Sequence, residues 1–157
     1  MLHIATFLKR WPRATAALGF GAAGTALAML WWGPVIVHAR GALPFVLFIG
    51  IPGISAAVAG CTLGKPLFDP VRLRGPGLAA LWGAAVGSLS LLLFAPLFAV
   101  VYVWTEPPNE HWNILGLALM VLMGSAIAVW WLVAAISAAV GWALYRVASS
   151  VTLASDQ

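Results

Sequence analysis

An all-α bundle of four membrane-crossing helices is the fold class this sequence predicts, and three observations predict it. Four long stretches, Ala14–Val37, Leu43–Leu63, Leu78–Trp104 and Ile114–Tyr145, contain no Asp, Glu, Lys or Arg. Each is longer than the roughly 20 apolar residues needed to cross the hydrocarbon core of a bilayer. The basic residues cluster beside the ends of these stretches, and the large aromatic residues mark their boundaries.

Composition excludes a water-soluble fold: 63% of residues are hydrophobic, 8% are charged and the mean hydropathy is +1.02, outside the range of soluble domains. Four spans and their connections use nearly all of the 157 residues, so a single membrane domain is expected. The net charge of +4 has a topological explanation, and no nucleic-acid partner is expected. The lone Cys61 excludes an intramolecular disulfide and paired-cysteine exchange chemistry. As an apolar-span cysteine it reads as a small residue packed between helices.

Orientation follows from the positive charges. Lys9, Arg10, Arg13, Lys65, Arg72, Arg74 and Arg146 precede the first span, join the second to the third, or follow the fourth. The other side holds Arg40 with Glu106 and Glu110. The excess of Lys and Arg predicts that both termini are cytoplasmic. A competing reading takes Lys9, Arg10 and Arg13 as the basic part of a secretory signal with a small-residue site at Ala26-Leu27-Ala28, but the apolar run continues beyond that site to Val37.

Taken in order, the first thirteen residues place Ile4, Phe7, Leu8 and Trp11 at helical spacing opposite His3, Thr6, Arg10 and Arg13. That pattern predicts an amphipathic surface segment whose basic face meets anionic headgroups, ended by Pro12. The second span contains Ile49-Gly50-Ile51-Pro52-Gly53. Pro52 removes a donor and obstructs the carbonyl four residues earlier, so a break is predicted there. A cavity bordered by Gly50, Pro52, Gly53 and Ser55 is the candidate binding site of this span.

The loop from Gly64 to Gly77 is rich in Pro and Gly and carries Lys65, Arg72 and Arg74 with the apolar Leu67 and Phe68. With Arg10 and Arg13, its cations are candidates for contact with lipid headgroups or a cytoplasmic partner. The third span is framed by Trp82 and Trp104, 22 residue steps or about 33 Å of helix, one bilayer crossing. The fourth stretch would run about 48 Å as one helix, so it must tilt or project. Trp130 and Trp131 then fall away from either aromatic belt, or mark the inner boundary of a projecting helix.

Small residues supply an account of assembly. Gly21-x-x-Gly24, Gly60-x-x-x-Gly64, Gly83-x-x-x-Gly87 and Ser137-x-x-x-Gly141 form strips along which helices approach closely, in this bundle or against other integral membrane subunits. An offset of 62 residues aligns Gly21-Ala22-Ala23 and Pro34 with Gly83-Ala84-Ala85 and Pro96, the pattern of a duplicated helical hairpin.

Chemistry is sparse. No Asp, Glu, Lys, Arg or His lies within a span, and such groups are what proton- or cation-coupled transport needs. His38 with Glu110 and His111 could converge on a metal or haem edge, but their spacing is not diagnostic. The span serines have no histidine or lysine at comparable depth to activate them, and read as helix glue. No catalytic residue, metal or cofactor is expected, with contact to a pigment, quinone or haem left open. The expected function is a non-catalytic accessory or scaffolding subunit of a larger bacterial inner-membrane complex, the bacterial source resting on the Ala/Gly/Trp/Arg-rich composition. The alternative is a small transporter or channel for a neutral solute.

Overall fold

A computed structural model describes residues 10–38, 43–69, 73, 75–105 and 113–155. Among them the chain is helical with no strand. Helix α1 runs Pro12–Ile36 and α2 runs Leu43–Leu63. A 3-10 turn follows at Lys65–Phe68, then α3 at Pro76–Thr105, α4 at Ile114–Ala128 and α5 at Trp130–Ser155. Four helices are long and apolar enough to cross a membrane: Pro12–Pro34, Leu43–Leu63, Pro76–Thr105 and Trp130–Ser150. This is the fold of a multi-pass membrane protein. The surface segment expected before Pro12 lies outside the described residues except for its last residues.

Apolar residues surround each helix, so periodicity does not decide how the helices pack; backbone proximity does. In the first hairpin a methyl group placed on Gly24 would lie 2.7 Å from the Ala56 Cβ, and one on Gly21 3.0 Å from the Ala57 Cβ. One on Gly60 would lie 2.8 Å from the Ala16 carbonyl oxygen. Numbers that rise along α1 as they fall along α2 make the pair antiparallel. The second hairpin repeats the device: Gly83 meets Gly141 and Gly87 meets Ser137. Gly21 and Gly83, the residues aligned by the 62-residue offset, thus each face the return helix of their own hairpin.

The hairpins join through α2 against α3 and through α5 against α1. Trp82 donates its Nε1 hydrogen to the Leu63 carbonyl at the end of α2, a carbonyl with no partner further along its own helix. One core cluster, including Ala16, Phe20, Ala59, Leu67, Leu73 and Val86, lies toward the end of the bundle that carries Arg10, Arg13, Lys65 and Arg146. A second cluster, Leu47, Ile51 and Phe98, lies toward the other end.

Three expectations are corrected. The fourth stretch is not one helix: it breaks at Val129, whose φ and ψ are −130° and −6°. Two bonds meet at the break without spanning it: the Val129 N–H donates to the Ser125 carbonyl and the Val133 N–H to the Val129 carbonyl, both at 3.0 Å. The result is a kink that resolves the excess length, and α5 continues beyond Tyr145 to Ser155. Trp130 donates from Nε1 to the Ser88 hydroxyl at 3.1 Å, so it sits beside α3 six residues inward of Trp82, roughly 9 Å along the axis. Second, the loop expected to meet a headgroup or partner is not exposed throughout: Leu67 is fully buried and Phe68 packs on the same cluster, so these two close the bundle end, while Lys65 is exposed. Gly75, with φ of +131°, makes the turn into α3 in a conformation that only glycine adopts readily. Third, Cys61 is exposed on the outside of α2, not packed between helices.

Candidate functional site

The break predicted in α2 takes the form of a π-helical segment, Val46–Gly50, followed at once by regular helix from Ile51. The Ile51 N–H reaches back to the Val46 carbonyl, a five-residue step that accommodates the missing Pro52 donor without unwinding the chain. The proline therefore bulges the helix and leaves it continuous.

Beside this bulge lies an open-sided cavity of about 440 Å³ lined by the four spans and α4, within the range of small-molecule sites. It lies beside the Val129 kink. Toward the basic end α5 packs on α1, where a methyl on Gly19 would lie 3.5 Å from Leu144. Beyond the kink α4 follows α3 and stands apart from α1, so a wedge opens between α1 and α4. Phe20 and Ala56, of the core cluster toward the basic end, and Phe48, Phe98 and Val121, of the other cluster, all line it. Trp31, Gly124 and Ala128, on either side of the gap, are exposed, so the wedge opens sideways.

The lining is almost wholly apolar. Trp32 and Phe48 have ring centroids 4.6 Å apart, Phe48 and Phe98 5.6 Å, and Phe94 and Phe98 5.6 Å. These tilted pairs form a continuous aromatic wall. Its polar side chains are Ser90, Ser125 and Ser137. Ser90 donates to the Gly87 carbonyl at 2.7 Å.

Of the four residues predicted to border a cavity in α2, Pro52 lines this one; Gly50, Gly53 and Ser55 do not. Gly53 faces Thr25 of α1. Ser55 is fully buried, and its hydroxyl has no hydrogen-bond partner among the described residues. The rest of the wall comes from all five helices; Gly24 and Ser137 were singled out only as packing residues, and most of the other positions were not singled out at all. The two adjacent tryptophans and the Phe94/Phe98 pair at helical spacing were the signals available.

All eight small residues proposed for helix packing, Gly21, Gly24, Gly60, Gly64, Gly83, Gly87, Ser137 and Gly141, lie against neighbouring helices of this chain. The glycines that meet nothing within 4 Å are others, including Gly33 on α1 and Gly124 on α4. The cations Arg10, Arg13 and Lys65 are exposed at one end of the bundle, while Arg72 and Arg74 lie outside the described residues. At the same end the Arg146 guanidinium sits 5.3 Å from the centroid of the Trp142 ring, a cation–π contact suited to the headgroup level. His38 Nδ1 is 3.0 Å from the Pro34 carbonyl oxygen of its own helix; Glu110 and His111 lie outside the described residues. No group of three potential metal ligands occurs among the described residues.

Set against known protein families, curated proteins and solved structures, the chain matches none of them.

Proposed function

We propose that this chain is a non-catalytic accessory or scaffolding subunit of a larger bacterial inner-membrane complex, with both termini in the cytoplasm. The observation that carries the reading is the chemistry of the interior: among the described residues the buried polar ones are Ser55, Ser90 and Ser137, none of them paired there with a group that would activate a hydroxyl. The orientation rests on the gathering of Arg10, Arg13, Lys65 and Arg146 at one end of the bundle.

The glycine strips are consumed within the chain, so the surface offered to a partner is a different one. Helix α4 suits it best. At 15 residues it is about 22 Å long, short of a full crossing, and Leu117 is its one buried residue. Leu119, Met120, Met123 and Ile127 point outward, Ile127 with 81% of its surface exposed. Flexible methionines adapt to varied apolar partners.

The test is extraction of the tagged chain at native level in mild detergent, with a photo-crosslinking residue at Met120 or Ile127 on α4 and at Leu81 on α3 as control. Recovery in one large complex, with crosslinks from α4 to a companion subunit, is expected. Recovery alone, as a monomer or small homo-oligomer, overturns the reading.

A second reading, a small transporter for a neutral solute with its cavity at the second span, is favoured by the presence of Pro52 in the cavity wall. The apolar lining restricts that solute to an apolar one. Vesicles reconstituted with the chain would then pass such a solute faster than protein-free vesicles, and Pro52→Ala would slow it.

A further inference from the structure

The wedge between α1 and α4 has two unlike walls. One is the aromatic run Trp32, Phe48, Phe98 and Phe94, contributed by α1, α2 and α3. The other is the face of α4 that carries Val121, Gly124, Ser125 and Ala128, where from Gly124 onward the side chains are small and a methyl on Gly124 would meet nothing within 4 Å. Rings opposite a smooth small-residue face make a slot, and a slot accepts a flat body better than a branched one. Among the described residues the Ser125 and Ser137 hydroxyls, which also line the cavity, make no hydrogen bond. A hydroxyl in an apolar site gains by finding an acceptor, and hydrocarbon offers none.

We propose that this slot binds a flat, ring-bearing molecule dissolved in the bilayer that carries carbonyl or hydroxyl oxygens, the chemistry of the membrane quinones. The ring system lies against Trp32, Phe48, Phe94 and Phe98, and an oxygen accepts from Ser125 or Ser137. Entry is lateral, between Trp31 and the Gly124–Ala128 face of α4, because at the opposite end Leu67 and the packing of α1 on α5 close the bundle. A lipid acyl chain, the most abundant competitor, would use the apolar volume but neither the rings nor the hydroxyls. The proposal goes beyond the accessory reading and does not depend on it, since a ligand is bound or not whether or not a companion subunit exists.

The experiment is calorimetric titration of the full chain in lipid nanodiscs. The probe is decylubiquinone; decanoic acid serves as a tail of the same length without the ring, and protein-free nanodiscs give the baseline. Saturable one-to-one binding of the quinone is expected, with decanoic acid failing to displace it at equal concentration. Gly124→Leu fills the slot and weakens quinone binding roughly tenfold or more, while its melting temperature stays at the parent value because the position is open. Ser125→Ala weakens the quinone roughly fivefold and leaves decanoic acid unchanged. Gly33→Leu, an equally open position outside the lining, changes neither. Quinone uptake equal to that of protein-free nanodiscs overturns the proposal, as does equal competition by decanoic acid or unchanged binding in Gly124→Leu.

Discussion

Gly83 and Gly141 meet backbone against backbone where α3 crosses α5: a methyl on Gly83 would stand 3.0 Å from the Gly141 Cα, and one on Gly141 2.8 Å from the Gly83 Cα. The crossing leaves no room for a side chain on either helix. Gly83→Val and Gly141→Val are each expected to destabilise the fold by about 1–3 kcal/mol, measured as a loss of folded protein in detergent titrations. Gly33→Ala, at an open helical position, is expected to be neutral or to stabilise by up to about 1 kcal/mol. Equal behaviour of the three variants would contradict this crossing.

The buried Ser55 hydroxyl is unpaired among the described residues. Removing an unsatisfied buried hydroxyl removes its desolvation cost, so Ser55→Ala is expected to stabilise the chain by about 1 kcal/mol. A melting temperature below the parent value would mean that the hydroxyl has a partner after all. Solute passage or ligand binding should not change, since Ser55 does not line the cavity.

Leu67 is a core residue presented by a connecting turn. Its side chain is fully buried against the cluster at the basic end of the bundle. Leu67→Ala is expected to cost about 2–5 kcal/mol, whereas Lys65→Ala two residues earlier, at an exposed position, should change stability by less than about 0.5 kcal/mol. Chemical denaturation in detergent compares the two; similar losses would place Leu67 outside the core.

Sidedness is open to direct labelling. In a Cys61→Ser background, single cysteines at Arg13, Lys65 and Arg146 are expected to react with a membrane-impermeant maleimide only when the cytoplasmic face is open. A cysteine at His38 should react in intact spheroplasts. The reverse pattern would invert the topology.

The first three spans were legible in the sequence almost to the residue. Charge-free runs at 14–37, 43–63 and 78–104 became helices at Pro12–Ile36, Leu43–Leu63 and Pro76–Thr105, because the cost of a charge in hydrocarbon writes the limits of a span directly into composition. The fourth stretch was not legible in the same way. Val129 carries neither Pro nor Gly beside it, and its kink accompanies tertiary contacts: Trp130 bonding Ser88 and the α4 segment following α3. The end at Tyr145 was misread for a related reason, since Arg146 marks the edge of an apolar stretch and not the end of a helix.

The cavity was legible only at Pro52. Its walls gather side chains from five helices that are apolar on every side, so no periodicity separates inward from outward positions. The small-residue strips, by contrast, named the true close approaches. Whether they served this bundle or a partner was beyond sequence, because a glycine looks the same to any helix that approaches it.

The sideways opening between α1 and α4 also decides what concentration means for this protein. A site filled from the bilayer responds to the number of ligand molecules per lipid, not to the amount dissolved in water. Adding empty lipid vesicles would drain such a site even if the total ligand were held constant. An occupant would therefore report the composition of the surrounding membrane, and two cells with equal cytoplasmic content but different lipid mass would fill the cavity to different extents.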